Sequence, residues 1–189
     1  MLRNRDSPVC LADGRHVWLR PLGAADADGL MALRGRLSAE TVRRRFLRLQ
    51  PPCDPRLAFA LANVDQQQRV AIAAVPAPDA RGPILAVGRF HADADSADGQ
   101  GDGDGERGPR RAELALLVED AYQRQGLGRA LLQRIVDEAA HRALGVLYGY
   151  TLYDNRPALR LLRTSGHPLH VAWHGGDVLS IELNVQATG

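Results

Sequence analysis

The segment Gln123-Arg124-Gln125-Gly126-Leu127-Gly128 joins a strand-like run, Ala112 to Val118, to a helix-like run, Arg129 to Arg142. A glycine turn that opens a helix directs several unpaired backbone N–H groups toward one point, and the helix dipole adds partial positive charge there. The chemistry of such a turn is anion binding, with phosphate its usual guest. The same six residues also suit a plain surface turn ahead of an amphipathic helix. A second reactive group lies on the preceding strand. Glu113 interrupts a run that is otherwise apolar from Ala112 to Val118. A carboxylate there is costly unless it has a partner or a task, and proton transfer is one such task.

Two phosphate-binding patterns are excluded. No Gly-Lys-Ser/Thr follows the glycines, so this is not a P-loop. The dinucleotide fingerprint needs a third Gly or Ala where this chain has Leu131, and a first Gly directly after the strand. What remains is Gln/Arg-x-x-Gly-x-Gly/Ala between a strand and a helix.

The elements that must position these groups follow from periodicity. His16 to Arg20 reads as a strand, with Val17 and Leu19 on one face and Pro21 as its stop. Ala24 to Leu37 is helical in spacing. Ser38 suits an N-cap for a second helix that runs to about Leu49, burying Val42, Phe46 and Leu49, and ends at Pro51-Pro52. Pro55 to Ala62 is a short helix. Arg69 to Val75 and Ile84 to His91 form an antiparallel hairpin around a loose turn. Asp93 to Pro109, rich in Asp and Gly, reads as a flexible loop within the domain; its spacing does not fit a calcium loop. Strand Arg111 to Val118 leads through the glycine turn into the helix. Leu131, Leu132, Ile135, Val136 and Ala139 make its apolar face; Arg129, Gln133, Arg134, Asp137 and Glu138 make its polar one. Strand Leu144 to Leu152, a helix from Asp154 to Ser165 capped by Asp154 or Asn155, and a hairpin of Leu169 to Trp173 with Val178 to Leu183 complete the chain. Strand, crossover helix and strand in the middle imply one parallel pair in a largely antiparallel sheet.

The chain has 189 residues, 45% hydrophobic and 24% charged, which fits a single domain over 1–189. A net charge of +2 gives no argument for nucleic acid. No apolar run spans a membrane and the N-terminus lacks an export core, so a cytoplasmic protein is expected. Cys10 and Cys53 have no metal-type spacing. All 24 basic residues are arginine. The protein therefore has no lysine side chain of its own to modify.

In its second half the chain carries Ala112-Glu113-Leu114-Ala115 with Val118, then Gln123-x-x-Gly126-x-Gly128, then Asp154-Asn155-Arg156-x-x-Leu159-Arg160-Leu161. The first half adds Leu19-Arg20-Pro21 and Leu37-Ser38-x-Glu40-Thr41-x-x-x-Arg45-Phe46. In order and spacing these resemble the GNAT N-acetyltransferase superfamily, and within it the acetyltransferase domain of bacterial protein-lysine acetyltransferases. The resemblance implies an α/β (α+β) fold: a mixed, mostly antiparallel central sheet flanked by helices, with a splayed central strand pair opened by a bulge near Val118. It implies acetyl-CoA as co-substrate and no metal. The pantetheine arm would pair with the backbone of Leu116, Leu117 and Val118. Amides from Gln123, Arg124, Gln125, Gly126, Leu127, Gly128 and Arg129 would hold the pyrophosphate, with Arg124 or Arg129 adding charge. Asn155 and Ala158 would lie beside the pantetheine; Asn155 also suits a plain N-cap. Relatives often carry fused regulatory domains, for which this chain is expected to have no room.

The implied reaction is direct acetyl transfer to an amine, with Glu113 as general base as in the lysine-acetylating relatives. Leu162 stands where many superfamily members have a general-acid Tyr, and Tyr153 is a nearby substitute. Protein lysine is the first acceptor class; small-molecule amines and a weakly catalytic acyl-CoA-binding module are the alternatives. Nothing in the sequence fixes an oligomeric state. His167, His170 and His174 fall on a turn and a strand, where their spacing does not converge on a metal. Arg43, Arg44, Arg45 and Arg48 make a basic helix edge, read as a solvated face bordering the acceptor entrance.

Overall fold

The computed structural model describes residues 8–47, 54–78, 83–93 and 109–185. The expectations for Arg48, Leu49, Pro51-Pro52, Cys53 and the body of the Asp/Gly-rich loop lie outside the described residues. The elements are β1 (Val9–Cys10), β2 (His16–Pro21), α1 (Ala27–Gly35), α2 (Ala39–Phe46), α3 (Pro55–Ala62), β3 (Arg69–Val75), β4 (Ala86–Ala92), β5 (Arg111–Val118), α4 (Leu127–Ala140), β6 (Val146–Leu152), α5 (Arg156–Arg163), β7 (Leu169–Gly175) and β8 (Val178–Asn184). They build one sheet in the order β1-β2-β3-β4-β5-β6-β8-β7. Its pairs are antiparallel except β5 with β6.

Strand alternation distributes two cores. On one face Phe90, Leu114, Leu147 and Ile181 pack with Leu131 and Ile135 of α4 and Leu159 and Leu162 of α5. On the other, Ala71, Ala73, Val75 and Val87 pack with Leu33 and Ala62 of α1 and α3. Val17 joins the first core and Trp18 the second, as the period of two requires.

Several local expectations change. β1 is two residues long, too short for a periodicity to reveal it. The first helix splits: Ala24–Asp26 is a 3₁₀ turn because Asp26 turns back to the Gly23 amide at 2.9 Å and pairs with Arg20 at 2.7 Å. α2 ends at Phe46, where Leu47 turns left-handed at φ 55°. The bulge expected near Val118 is absent. β5 stays in regular register with β4 from Ala112 opposite Ala92 to Val118 opposite Ala86. The opening of the sheet arises on the other side of β5. Its parallel pairing with β6 joins Arg111, Ala112 and Glu113 to Val146, Leu147 and Tyr148, and goes no further.

Gly149 marks the parting point. A Cβ there would lie 2.9 Å from the Leu114 carbonyl oxygen, so the two backbones approach more closely than any side chain permits. β6 is paired with β8 along its whole length, Val146 to Leu152, so from Gly149 onward β8 is its strand partner and β5 is not.

Glu138 is not on a solvated face. It is 5% exposed, held by Arg142 at 2.7 Å and Arg134 at 3.2 Å. Arg142 also donates to the carbonyls of Gln66 and Gln67, tying the end of α4 to the loop before β3. Replacing Glu138 by Gln keeps the shape but removes the charge that both guanidiniums face. Urea denaturation should show a loss of about 1–3 kcal/mol, the range for a charged buried hydrogen bond; an unchanged midpoint would assign the anchoring to Arg142 and the carbonyls alone.

Candidate active site between β5 and β6

Within a strand, successive residues point their N–H and C=O groups to opposite neighbours. Val146 N–H donates to the Arg110 carbonyl at 3.2 Å, so even-numbered residues of β5 face β6. Beyond the last pair, the backbone groups of Leu116 and Val118 therefore face the gap. The Val118 carbonyl there accepts from Gln123 Nε2 at 3.1 Å. Leu117 differs from its two neighbours: its backbone faces β4, opposite Val87, and its side chain packs in the second core. Of the three residues expected along the pantetheine arm, Leu116 and Val118 present main chain to the gap and Leu117 does not.

At the mouth of the gap, α4 begins with Gly126 as N-cap, at φ 91° and ψ −14°. Arg124 also has a positive φ, 58°. Two such residues in three fold the backbone back so that consecutive amides converge. Among the described residues, the amides of Arg124, Gln125, Gly126, Leu127 and Gly128 have no hydrogen-bond acceptor. The expected set was wider. Gln123 N–H donates to the Asp120 carbonyl and Arg129 N–H to that of Gly126, so those two amides are engaged. Arg124 and Arg129 are exposed beside the turn, and no salt bridge holds either among the described residues. Leu127 is fully buried and pins the turn to the core.

The turn has supports the sequence did not reveal. Gln125 accepts from the Ala12 amide at 3.1 Å, and Arg15 donates to the Ala121 carbonyl at 3.0 Å while lying 4.1 Å over the Tyr122 ring. These contacts come from the β1–β2 turn, more than a hundred residues away, and no local pattern encodes them.

The helix α2 bridges the two lips of the gap. Ser38 caps it, accepting from the Thr41 amide at 3.2 Å as expected. The same Ser38 hydroxyl and that of Thr41 donate to Asp120, at 2.6 and 2.8 Å. Burial acts to raise the Asp120 pKa, but these bonds outweigh it and hold the carboxyl below its ordinary value. Gln123 Nε2 reaches Thr41 at 3.0 Å. On the other lip, Arg43 pairs with Asp154 and lies 3.6 Å from Asp177. Asn155 caps α5 through the Ala158 amide at 3.3 Å, and its Nδ2 donates to Thr151 at 3.0 Å. The cap role is thus filled, and Ala158 is half-buried beside it. Tyr153 is 58% exposed, its ring 6.5 Å from that of Trp173. Leu162 is core, 5% exposed.

Glu113 is exposed on the face of β5 that it shares with Ala115 and Leu117. His91 sits directly opposite on β4, and Arg89 is opposite Ala115. Arg45, counted in the sequence with a solvated edge, turns inward from α2; Arg43 and Arg44 pair with Glu40 at 3.3 and 2.8 Å. Arg45 and Arg89 both line a pocket of about 90 Å³ between the sheet and α1–α3. Burial, then the neighbouring Arg89, pulls the Arg45 pKa down to about 10, while Glu113 acts to raise it. Burial also lowers that of Arg89, again opposed by Glu113. Glu113 has no hydrogen-bond or ion-pair partner among the described residues. On β6, Tyr148 is level with Glu113 and donates to Asp93 at 2.8 Å. That bond, followed by burial, raises the Tyr148 pKa to about 12. Among the described residues no three of His, Cys, Asp and Glu converge as metal ligands. His170 is beside Glu182, and the His174 ring lies tilted against that of Tyr150, 4.6 Å between centroids.

Comparison with known proteins gives a coherent picture. The Acetyltransferase (GNAT) family profile matches residues 43–167. Acetyltransferase PA5475 of Pseudomonas aeruginosa is 31% identical over 146 residues, covering 77% of this chain and 72% of that protein. Acetyltransferase Pat of Mycolicibacterium smegmatis is 26% identical over 159 residues; the match covers 84% of this chain but only 43% of Pat. The crystal structure of the GNAT domain of S. lividans PAT superposes with a TM-score of 0.77 at 24% identity, over 94% of this chain and 96% of that one.

The two glycines of the turn differ in what they require. Gly126 needs its left-handed φ, whereas a Cβ on Gly128 would meet Leu161 at 3.6 Å and Val118 at 3.8 Å, ordinary contacts. Gly126→Ala should cost on the order of 1–2 kcal/mol of strain and weaken CoA binding about tenfold or more. Gly128→Ala should leave that affinity close to wild type. Calorimetric titration of both variants with CoA checks this; equal losses would mean the turn acts through something other than its backbone shape.

Proposed function

The chain belongs to the acetyltransferase (GNAT) family, whose acetyl donor is acetyl-CoA, and from that premise we propose that it transfers the acetyl group directly to a primary amine with Glu113 as general base. The observation that carries this reading is Glu113 itself: an exposed carboxylate, without a hydrogen-bond partner among the described residues, beside the place where β5 and β6 part. The unpaired amides of residues 124–128 support the donor side, as a site for the pyrophosphate.

An alkylamine has a pKa of about 10.4, so near neutral pH only about one molecule in a thousand is neutral and nucleophilic. Glu113, directly or through a water, takes the proton as nitrogen attacks the thioester carbon. The C–N bond forms, the C–S bond breaks, and the proton passes through Glu113 and solvent to the departing thiolate. That thiolate has a pKa of about 8.5, so it leaves without obligatory protonation. This suits a site where Leu162 is core and Tyr153 is exposed. The N–H groups of Leu116 and Val118, which face the gap, are placed to hold the oxygen as it gains negative charge. Cations at Arg45 and Arg89 disfavour the ammonium form of an incoming amine and so favour its neutral form.

Protein lysine is the acceptor class suggested by the likeness to the PAT domain; a small amine is the other. CoA release in the presence of a panel of protein and small-molecule amines tests the activity. Glu113→Gln should lower kcat roughly a hundredfold or more while acetyl-CoA binding persists. Unchanged turnover would remove Glu113 from the mechanism, and binding without turnover on any amine would make the domain an acyl-CoA-binding module.

A further inference from the structure

The pocket beside Glu113 is apolar except for its charges. Leu22, Leu30, Leu33 and Leu61 form much of its wall, with Arg34, Arg45, Asp54 and Arg89 set among them. Asp54 is already engaged, capping α3 through the Arg56 amide at 2.8 Å. Among the described residues, none of the three arginines has a hydrogen-bond or ion-pair partner, and Arg34 Nε is buried without an acceptor. Arg45 makes only a ring contact, 5.1 Å from Phe46. Guanidinium groups left unpaired beside an apolar wall lose hydration without a return, and placing several together adds repulsion. Glu113 offsets part of this for Arg45 and Arg89. The remainder is what a bound anion would supply, and a carboxylate matches the guanidinium fork.

The pocket is also separate from the donor side. The glycine turn opens α4, which packs on the opposite face of the sheet, so the arginines of this pocket do not face the phosphate site. We propose that this pocket is the acceptor subsite and that it selects a small amino-acid-type molecule: its carboxylate held by Arg45 and Arg89, its apolar side chain against the leucines, its amine presented to Glu113. The inference rests on the acetyl transfer proposed above and narrows its acceptor. It disfavours a protein lysine, whose side chain brings a cationic head and no carboxylate of its own to these guanidiniums. Arg89 and Glu113 are diagonal neighbours on paired strands, roughly 7–8 Å apart at the backbone. Both ends of one small molecule fall within reach of that span.

The test compares leucine and phenylalanine with isopentylamine and phenethylamine, the same bodies without the carboxylate, and with a lysine peptide. Two readouts are used: calorimetric binding in the presence of CoA, and kcat/KM for CoA release. The carboxylate-bearing acceptors should exceed their matched amines by about tenfold or more, the effect of leaving a site's polar groups unpaired. Arg45→Gln and Arg89→Gln should erase that difference by raising KM, and Arg89→Lys should restore part of it. Thermal melting and acetyl-CoA binding show that each variant is folded. Arg89-dependent binding of the amino acids without turnover would sink acetyl transfer and leave the subsite standing. Turnover indifferent to the carboxylate, or a lysine peptide preferred and insensitive to Arg89, would overturn the subsite and leave acetyl transfer standing. Absence of any binding by the amino acids overturns the subsite as well.

Discussion

Parallel pairing between β5 and β6 covers three residues on each strand and then stops. An interrupted sheet exposes backbone donors and acceptors that folding normally pairs, and an open strand edge invites the wrong partner. Here the opening is kept at a fixed width from outside the sheet. α2 lies across it, bonded through Ser38 and Thr41 to Asp120 on one lip and through Arg43 to Asp154 and Asp177 on the other. Partly exposed ion pairs contribute only about 0–1 kcal/mol each, so their effect on stability is small. Their effect on position is larger, because they fix where the helix carrying Arg45 sits. The cores on either side of the sheet supply the stability that lets the gap remain.

The parts of this arrangement legible in the sequence are those governed by local rules. The bounds of β5, Arg111 to Val118, were readable because its apolar run is bounded by polar segments. Ser38 and Asn155 were readable as caps because capping depends on residues three positions apart. The bulge near Val118 was inferred from resemblance, and the structure replaces it with a close approach at Gly149, a contact between strands more than thirty residues apart. Glu138 and Arg45 were misplaced for a shared reason. Both have charge, and a helical period assigns charge to water unless a distant partner or pocket is known. Arg89 was overlooked although it interrupts an apolar strand just as Glu113 does. Its meaning depends on register with β5, which places it on the same face as Glu113, and register is a tertiary fact.

The absence of lysine narrows the chemistry further. Every fixed cation in the chain is a guanidinium, which stays charged at neutral pH and does not exchange protons with a substrate. Proton transfer must therefore fall to carboxylates, tyrosines or histidines near the gap. Tyr148, level with Glu113, has its hydroxyl committed to Asp93 and a pKa raised to about 12, which makes it a poor proton donor to a thiolate. Asp93 is held by that same bond. Glu182 is paired with Arg111 at 2.6 Å, and the guanidinium keeps its carboxyl below the ordinary value, a weaker base. On this face Tyr148 and Asp93 thus share one hydrogen bond, and Glu182 is held by Arg111. Glu113 is near the cations Arg45 and Arg89 but has no hydrogen-bond or ion-pair partner among the described residues, which is why the proposed mechanism rests on it.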